Sequence, residues 1–113
     1  MTKNYQTLTT EITQQLGKLS KDIPDVMQNF HGLHRASGKA GVLDKKTKEL
    51  IALGISIATR CDACIGFHTK ALVQLGITRE EFTETLGMAI YMGGGPSLMY
   101  AADALKAFEE FSE

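Results

Sequence analysis

Apolar residues recur along this chain at the spacing of helices, and no stretch alternates with the period of two that marks strands between hairpin turns. Leu8, Ile12, Leu16 and Leu19 share one face of the segment Tyr5 to Leu19, with Gln, Thr and Lys opposite, so an amphipathic first helix is predicted there. Asp22 is placed to cap a second helix, with Pro24 in its first turn and Val26, Met27, Phe30 and Leu33 along it, fading at Ser37-Gly38-Lys39-Ala40-Gly41. Asp44 then caps a third helix, Lys45 to about Thr59. Its first half is charged, and its second half, Leu50 to Ala58, is apolar on nearly every face. Such a helix is central or shared between subunits. The competing reading, a buried strand at Leu50 to Ala58, has no partner strand in the sequence and conflicts with the helical phase that Asp44 sets.

After a turn near Arg60, a fourth helix runs through Ala71, Leu72 and Leu75 and stops at Gly76. Thr78 and Glu81 form a capping box that opens a fifth, Arg79 to about Met92, with Phe82, Leu86, Ala89 and Ile90 inward. Gly93-Gly94-Gly95-Pro96 breaks it. The sixth helix, Pro96 to Phe111, places Leu98, Ala101, Ala102, Leu105 and Phe108 on one face. The expected fold is an all-α single domain, residues 1–113, of about six helices.

Composition narrows the function by exclusion. With 113 residues and a net charge of -1, the chain has no basic footprint for nucleic acid or an anionic membrane. The longest apolar run falls well short of the ~20 residues that span a bilayer, and the N-terminal residues lack the apolar core of a signal peptide. A cytoplasmic location is therefore expected. In that reducing compartment, two cysteines spaced C-x-x-C suit catalysis or metal binding better than a structural staple.

Both cysteines lie in Arg60-Cys61-Asp62-Ala63-Cys64-Ile65-Gly66-Phe67-His68. On a helix Cys61, Cys64 and His68 fall at i, i+3 and i+7, so two thiols and an imidazole share one stripe. A helix N-terminus and the neighbouring Arg60 both favour the thiolate, and the spacing permits a reversible disulfide. If the third and fourth helices form a hairpin pivoting at Arg60, Glu49 lies roughly 16 Å down one arm, His68 about 12 Å down the other and Cys64 about 6 Å. Glu49 is then level with His68 more nearly than with either sulfur, and the relay order is Glu49, His68, Cys64. Spacing alone leaves Glu49 open between this role and that of a solvated acid among Lys45, Lys46 and Lys48. A packed histidine at a helix contact is the plain reading of His68, and a pair of small core residues that of the cysteines. Met88, Met92 and Met99 read as core or subunit-contact residues, and His31 and His34, at i and i+3 on the second helix, as surface positions in preference to lining the pocket. A zinc site built from Cys61, Cys64 and His68, with His31, His34 or Glu49 as fourth ligand, is the rival from another class. A thioredoxin-like role fails: there is no Trp, no Gly-Pro between the cysteines and no βαβ pattern.

The combination of Glu49, eleven intervening residues, Cys61-x2-Cys64-x3-His68, Gly76 and Gly93-Gly94-Gly95-Pro96 resembles the AhpD-like branch of the carboxymuconolactone decarboxylase family over about residues 42 to 105. The resemblance implies an all-helical fold with the C-x-x-C at the N-terminus of the fourth helix, assembly into trimers or hexamers, and a thiol peroxidase acting on small-molecule hydroperoxides. It further implies Cys64 as the peroxidatic cysteine, Cys61 as the resolving one, and Glu49 and His68 as the proton relay. An external dithiol or thiol is the implied reductant, and no bound cofactor or resident metal is expected. One position departs from the pattern: founding members carry a histidine directly before the second cysteine, where this chain has Ala63. A disulfide oxidoreductase without peroxidase activity is the alternative that this departure keeps open.

Overall fold

The computed structural model describes residues 2–113. Among them the chain forms six helices and no strand: α1 (Tyr5–Asp22), α2 (Pro24–Gly38), α3 (Lys45–Ala58), α4 (Asp62–Gln74), α5 (Arg79–Gly93) and α6 (Gly95–Phe111). Leu50 to Ala58 is helical throughout. Helix α3 packs on α4 and α5, α6 packs on the same two, α1 lies against the start of α4, and α2 touches α1 and α3. Among the described residues, no helix is long and apolar enough to cross a membrane.

The caps explain most of the boundaries. Asp44 Oδ1 accepts from Thr47 N at 2.7 Å, and Thr78 and Glu81 exchange side-chain and backbone bonds as a capping box. Asp22 does not cap α2, contrary to the expectation from sequence. It is the last residue of α1, and the N-cap of α2 is Ile23, without a side-chain bond. Pro24 has no N–H to satisfy there, so the missing cap leaves one donor fewer unpaired. The glycine break is also sharper than expected. Gly94 alone turns the chain, at φ 71°, and α6 begins at Gly95 before Pro96.

Leu53, Ile57, Ile65, Leu72 and Phe82 are fully buried, each contributing about 1.5–3 kcal/mol by leaving water. Phe82 and Phe108 stack at a tilt, with ring centroids 4.9 Å apart. The buried face of α6 is Ser97, Ala101, Ala104, Ala107 and Phe108, so Leu98 and Ala102 of the predicted face turn outward. Small residues won because α6 sits in the angle between α4 and α5, where alanine lets the helices approach.

The predicted stripe of α1 is mostly left in solvent. Tyr5 and Thr9 are its buried residues, while Ile12, Leu16 and Leu19 are exposed. Close approach to α4 explains the choice. A Cβ on Gly66 would stand 2.7 Å from Thr9 Cγ2 and 3.2 Å from Tyr5 Cδ1, so the absence of a side chain at Gly66 is what lets α1 settle on the start of α4. Gly66→Ala is expected to cost about 1–3 kcal/mol by overpacking, read as a lower denaturant midpoint. An unchanged midpoint would mean that α1 is not seated there.

Candidate functional site

Two helix ends meet at Arg60. Arg60 N donates to Ile57 O at 3.1 Å and Cys61 N to Ser56 O at 3.0 Å, the paired bonds of a Schellman turn closing α3. Such a turn needs one left-handed residue. At the end of α4 that residue is Gly76, φ 79°, but at the end of α3 it is Arg60, φ 58°. A side chain there costs on the order of 1 kcal/mol, stored one residue before the first cysteine.

Cys61 is the N-cap of α4, one position outside the first turn predicted for it. Its Sγ accepts from Cys64 N at 3.2 Å, the role usually played by a serine or aspartate oxygen. Cys61 and Cys64 are joined as a disulfide, with Cα atoms 5.2 Å apart. Both are half-buried. The N-terminus of α4 thus sets the Cys64 N–H on the Cys61 sulfur, and the field of a helix N-terminus stabilises a thiolate once the bond is opened.

Farther along the α3–α4 hairpin, His68 Nδ1 and Glu49 Oε2 lie 2.6 Å apart. This is the pairing that the rise along the two arms predicts. The side chain of Glu49 is only 14% exposed and that of His68 27%, so little water competes for the contact. A carboxylate accepting from Nδ1 fixes the proton of the neutral ring on that nitrogen. Nε2 is then left with a lone pair to take a proton. Cys64 and His68 are one turn apart on α4, so the imidazole follows the sulfur on the same stripe.

Glu49 and His68 open onto a cavity of about 300 Å³ whose wall also includes His34, Ser37, Ala52 and Ile55. His34, read from sequence as a surface residue, is exposed yet shares this wall; His31 is exposed. Lys48 Nζ donates to Ser37 O at 2.9 Å and Lys39 O at 2.8 Å, tying the end of α2 to α3 beside the opening. Among the described residues, no three His, Cys, Asp or Glu side chains gather to hold a metal ion.

A further cluster lies at the same end of α4. Asp62, between the cysteines, accepts at Oδ1 from Lys3 Nζ at 3.1 Å and from the Tyr5 hydroxyl at 3.1 Å. Lys3 also reaches Asp103 Oδ2 at 2.8 Å. Nothing in the sequence marks this cluster, because Lys3 lies 59 positions from Asp62 and 100 from Asp103, and outside Asp62 none of its members belongs to the C-x-x-C stretch.

The profile of the carboxymuconolactone decarboxylase family matches residues 24–107. An uncharacterised Cupriavidus necator protein, H16_B0147, is 40% identical over 96% of both chains. Apo-lpg0406, a carboxymuconolactone decarboxylase family protein from Legionella pneumophila, superposes with a TM-score of 0.94 at 59% identity, covering 96% of this chain and 97% of that one. Alkyl hydroperoxide reductase AhpD from Mycobacteroides abscessus is 35% identical over 60% of this chain and 38% of its own length.

Protein purified without reductant is expected to show no free thiol in denaturant, and two per chain after treatment with a dithiol and desalting. Free thiols before reduction would mean that the sulfurs are not joined.

Proposed function

Because the chain belongs to the carboxymuconolactone decarboxylase family, and because Glu49 lies against His68 one turn below a C-x-x-C, we propose that it is a thiol-dependent peroxidase of the AhpD-like kind. The observation that carries this reading is the 2.6 Å contact. A cysteine pair needing only to stay closed has no use for a mostly buried carboxylate aimed at an imidazole on its own stripe. The likeness to a named alkyl hydroperoxide reductase supports the same direction.

In the proposed cycle an external dithiol first opens the disulfide. His68, held through Nδ1 by Glu49, takes the Cys64 proton at Nε2. The Cys64 thiolate attacks the distal peroxide oxygen, and the O–O bond breaks. The alkoxide leaves and takes the proton back from the imidazolium as an alcohol. Cys64 is now a sulfenic acid. The Cys61 thiol condenses with it, restoring the disulfide and releasing water. Summed, one hydroperoxide and one dithiol become an alcohol, water and an external disulfide. The cavity beside Glu49 and His68 is the proposed site of the hydroperoxide, with Ala52 and Ile55 as its apolar wall.

The proposed assembly is a trimer or hexamer. Ile51 and Ile55 of α3 and Met88 and Met92 of α5 are exposed along one groove of about 450 Å³, and Val26, Phe30 and Leu33 of α2 are each more than 60% exposed. Met99 is exposed as well, so the core reading of these three methionines fails, and subunit contact is the role proposed for them. A neighbouring copy would cover such faces. We place the protein in the cytoplasm.

Peroxide consumption with a dithiol donor is expected to fall to background in Cys64→Ser. Cys61→Ser should consume one equivalent and stop at the sulfenic acid, trapped by a sulfenate-specific reagent. Glu49→Gln and His68→Asn should each slow turnover by about 10²–10⁴, with little further loss in the double variant, since both act on one proton. Full activity in Cys64→Ser would overturn the assignment. The alternative invited by Ala63, a disulfide oxidoreductase, predicts instead that small disulfides reoxidise the reduced pair faster than peroxide does.

A further inference from the structure

We propose that Lys3 and Tyr5 set the ionisation of the cysteine pair, and with it the redox poise, by holding the charge of Asp62. The inference rests on the reading of Cys61 and Cys64 as a pair that opens and closes, though not on peroxide as its oxidant.

Asp62 is the first residue of α4, directly after the N-cap cysteine and two before Cys64. A carboxylate at that position competes with the thiolate for the same helix field, since two negative charges at one helix end repel. Left unpaired, Asp62 would oppose the thiolate that the helix end favours. It is not left unpaired. One of its oxygens takes both Lys3 Nζ and the Tyr5 hydroxyl, each at 3.1 Å. The ammonium is fixed in turn by Asp103 Oδ2 at 2.8 Å and by the face of Tyr100, with its centroid 5.3 Å away.

The surrounding charges are accounted for from each neighbouring element. On α6, Glu110 is held by Lys106 at 3.0 Å and by the backbone N–H of Tyr5 at 2.6 Å. From the turn before α4 comes Arg60, and from α3 comes Glu49, paired with His68. Lys3 is therefore the cation bridging Asp62 to α6. Burial, then the Asp103 and Asp62 carboxylates, push the Tyr5 phenol far above its ordinary range, so it stays a neutral donor while thiols titrate. The hydrogen bond that Lys3 donates to Asp103, more than any other cause, raises the Lys3 ammonium, which stays charged over the same range.

Removing Lys3 or Asp62 breaks the same contact but changes the local charge in opposite directions. A merely structural link would move the thiols the same way in both variants. In the reduced protein, followed by thiolate absorbance against pH, Lys3→Met should lower the thiolate fraction at neutral pH about threefold, and Asp62→Asn should raise it about threefold. The double variant should lie between them, and Lys3→Arg, which keeps the charge, should titrate as the wild type. In equilibrium with glutathione, Asp62→Asn should favour the dithiol and Lys3→Met the disulfide. Shifts in one direction for both variants, or none, would overturn the proposal. Opposite shifts in a protein that consumes no peroxide would leave it standing while the peroxidase reading fails.

Discussion

The packing of α3 on α4 across the Arg60 turn is the constraint on which the rest depends. The turn reverses the chain within a few residues, so Cys61 serves both to finish one helix and to start the next. From that fixed point the two arms run side by side, and comparable distances along them, roughly 16 Å and 12 Å by helical rise, bring Glu49 against His68. Leu53 and Ile57 on one arm and Ile65 and Leu72 on the other are fully buried, which holds the register. A slip of one turn, about 5.4 Å, would separate carboxylate from imidazole. The hydrophobic core thus sets a hydrogen bond between side chains nineteen positions apart.

The remaining helices act on this hairpin from outside. Helix α6 fills the angle behind it with alanines, and α1 seats Tyr5 over Gly66, bringing Lys3 to the head of α4. The N-terminal arm is thereby part of the site's electrostatics, although its residues carry no motif. On the opposite side, α2 buries only Met27. Its end, tied down by Lys48, supplies a wall of the cavity, while its apolar face remains in solvent. The proposed assembly would cover this exposed stripe, of which Val26, Phe30 and Leu33 are the most exposed members.

Six helices, their caps at Asp44 and Thr78, the stop at Gly76 and the meeting of Glu49 with His68 were legible from the sequence, because each follows from local chemistry or from the rise of a helix. What was not legible depended on tertiary choice. Leu98 and Ala102 look as good a core face as Ala104 and Ala107 until the neighbours are known, and the tight angle then selects the smaller residues. The stripe on α1 reads as inward by periodicity, yet close approach at Gly66 decides which turn of that helix is buried. Asp22 has the chemistry of a cap but is absorbed into α1, whose helix continues one turn beyond Leu19. Arg60 carries no sequence sign of its left-handed backbone. The ion cluster on Asp62 was out of reach, since no periodicity links residue 3 to residues 62 and 103.

The central claim is that this fold makes an ordinary pair of thiols fast toward peroxide. Its most direct measurement is a rapid-mixing experiment in which the fully reduced protein meets one equivalent of cumene hydroperoxide while thiols and peroxide are counted together. The account predicts that two thiols disappear for each peroxide consumed, at a rate orders of magnitude above that of free dithiothreitol in the same buffer. Thiol loss no faster than that of the free dithiol would contradict it.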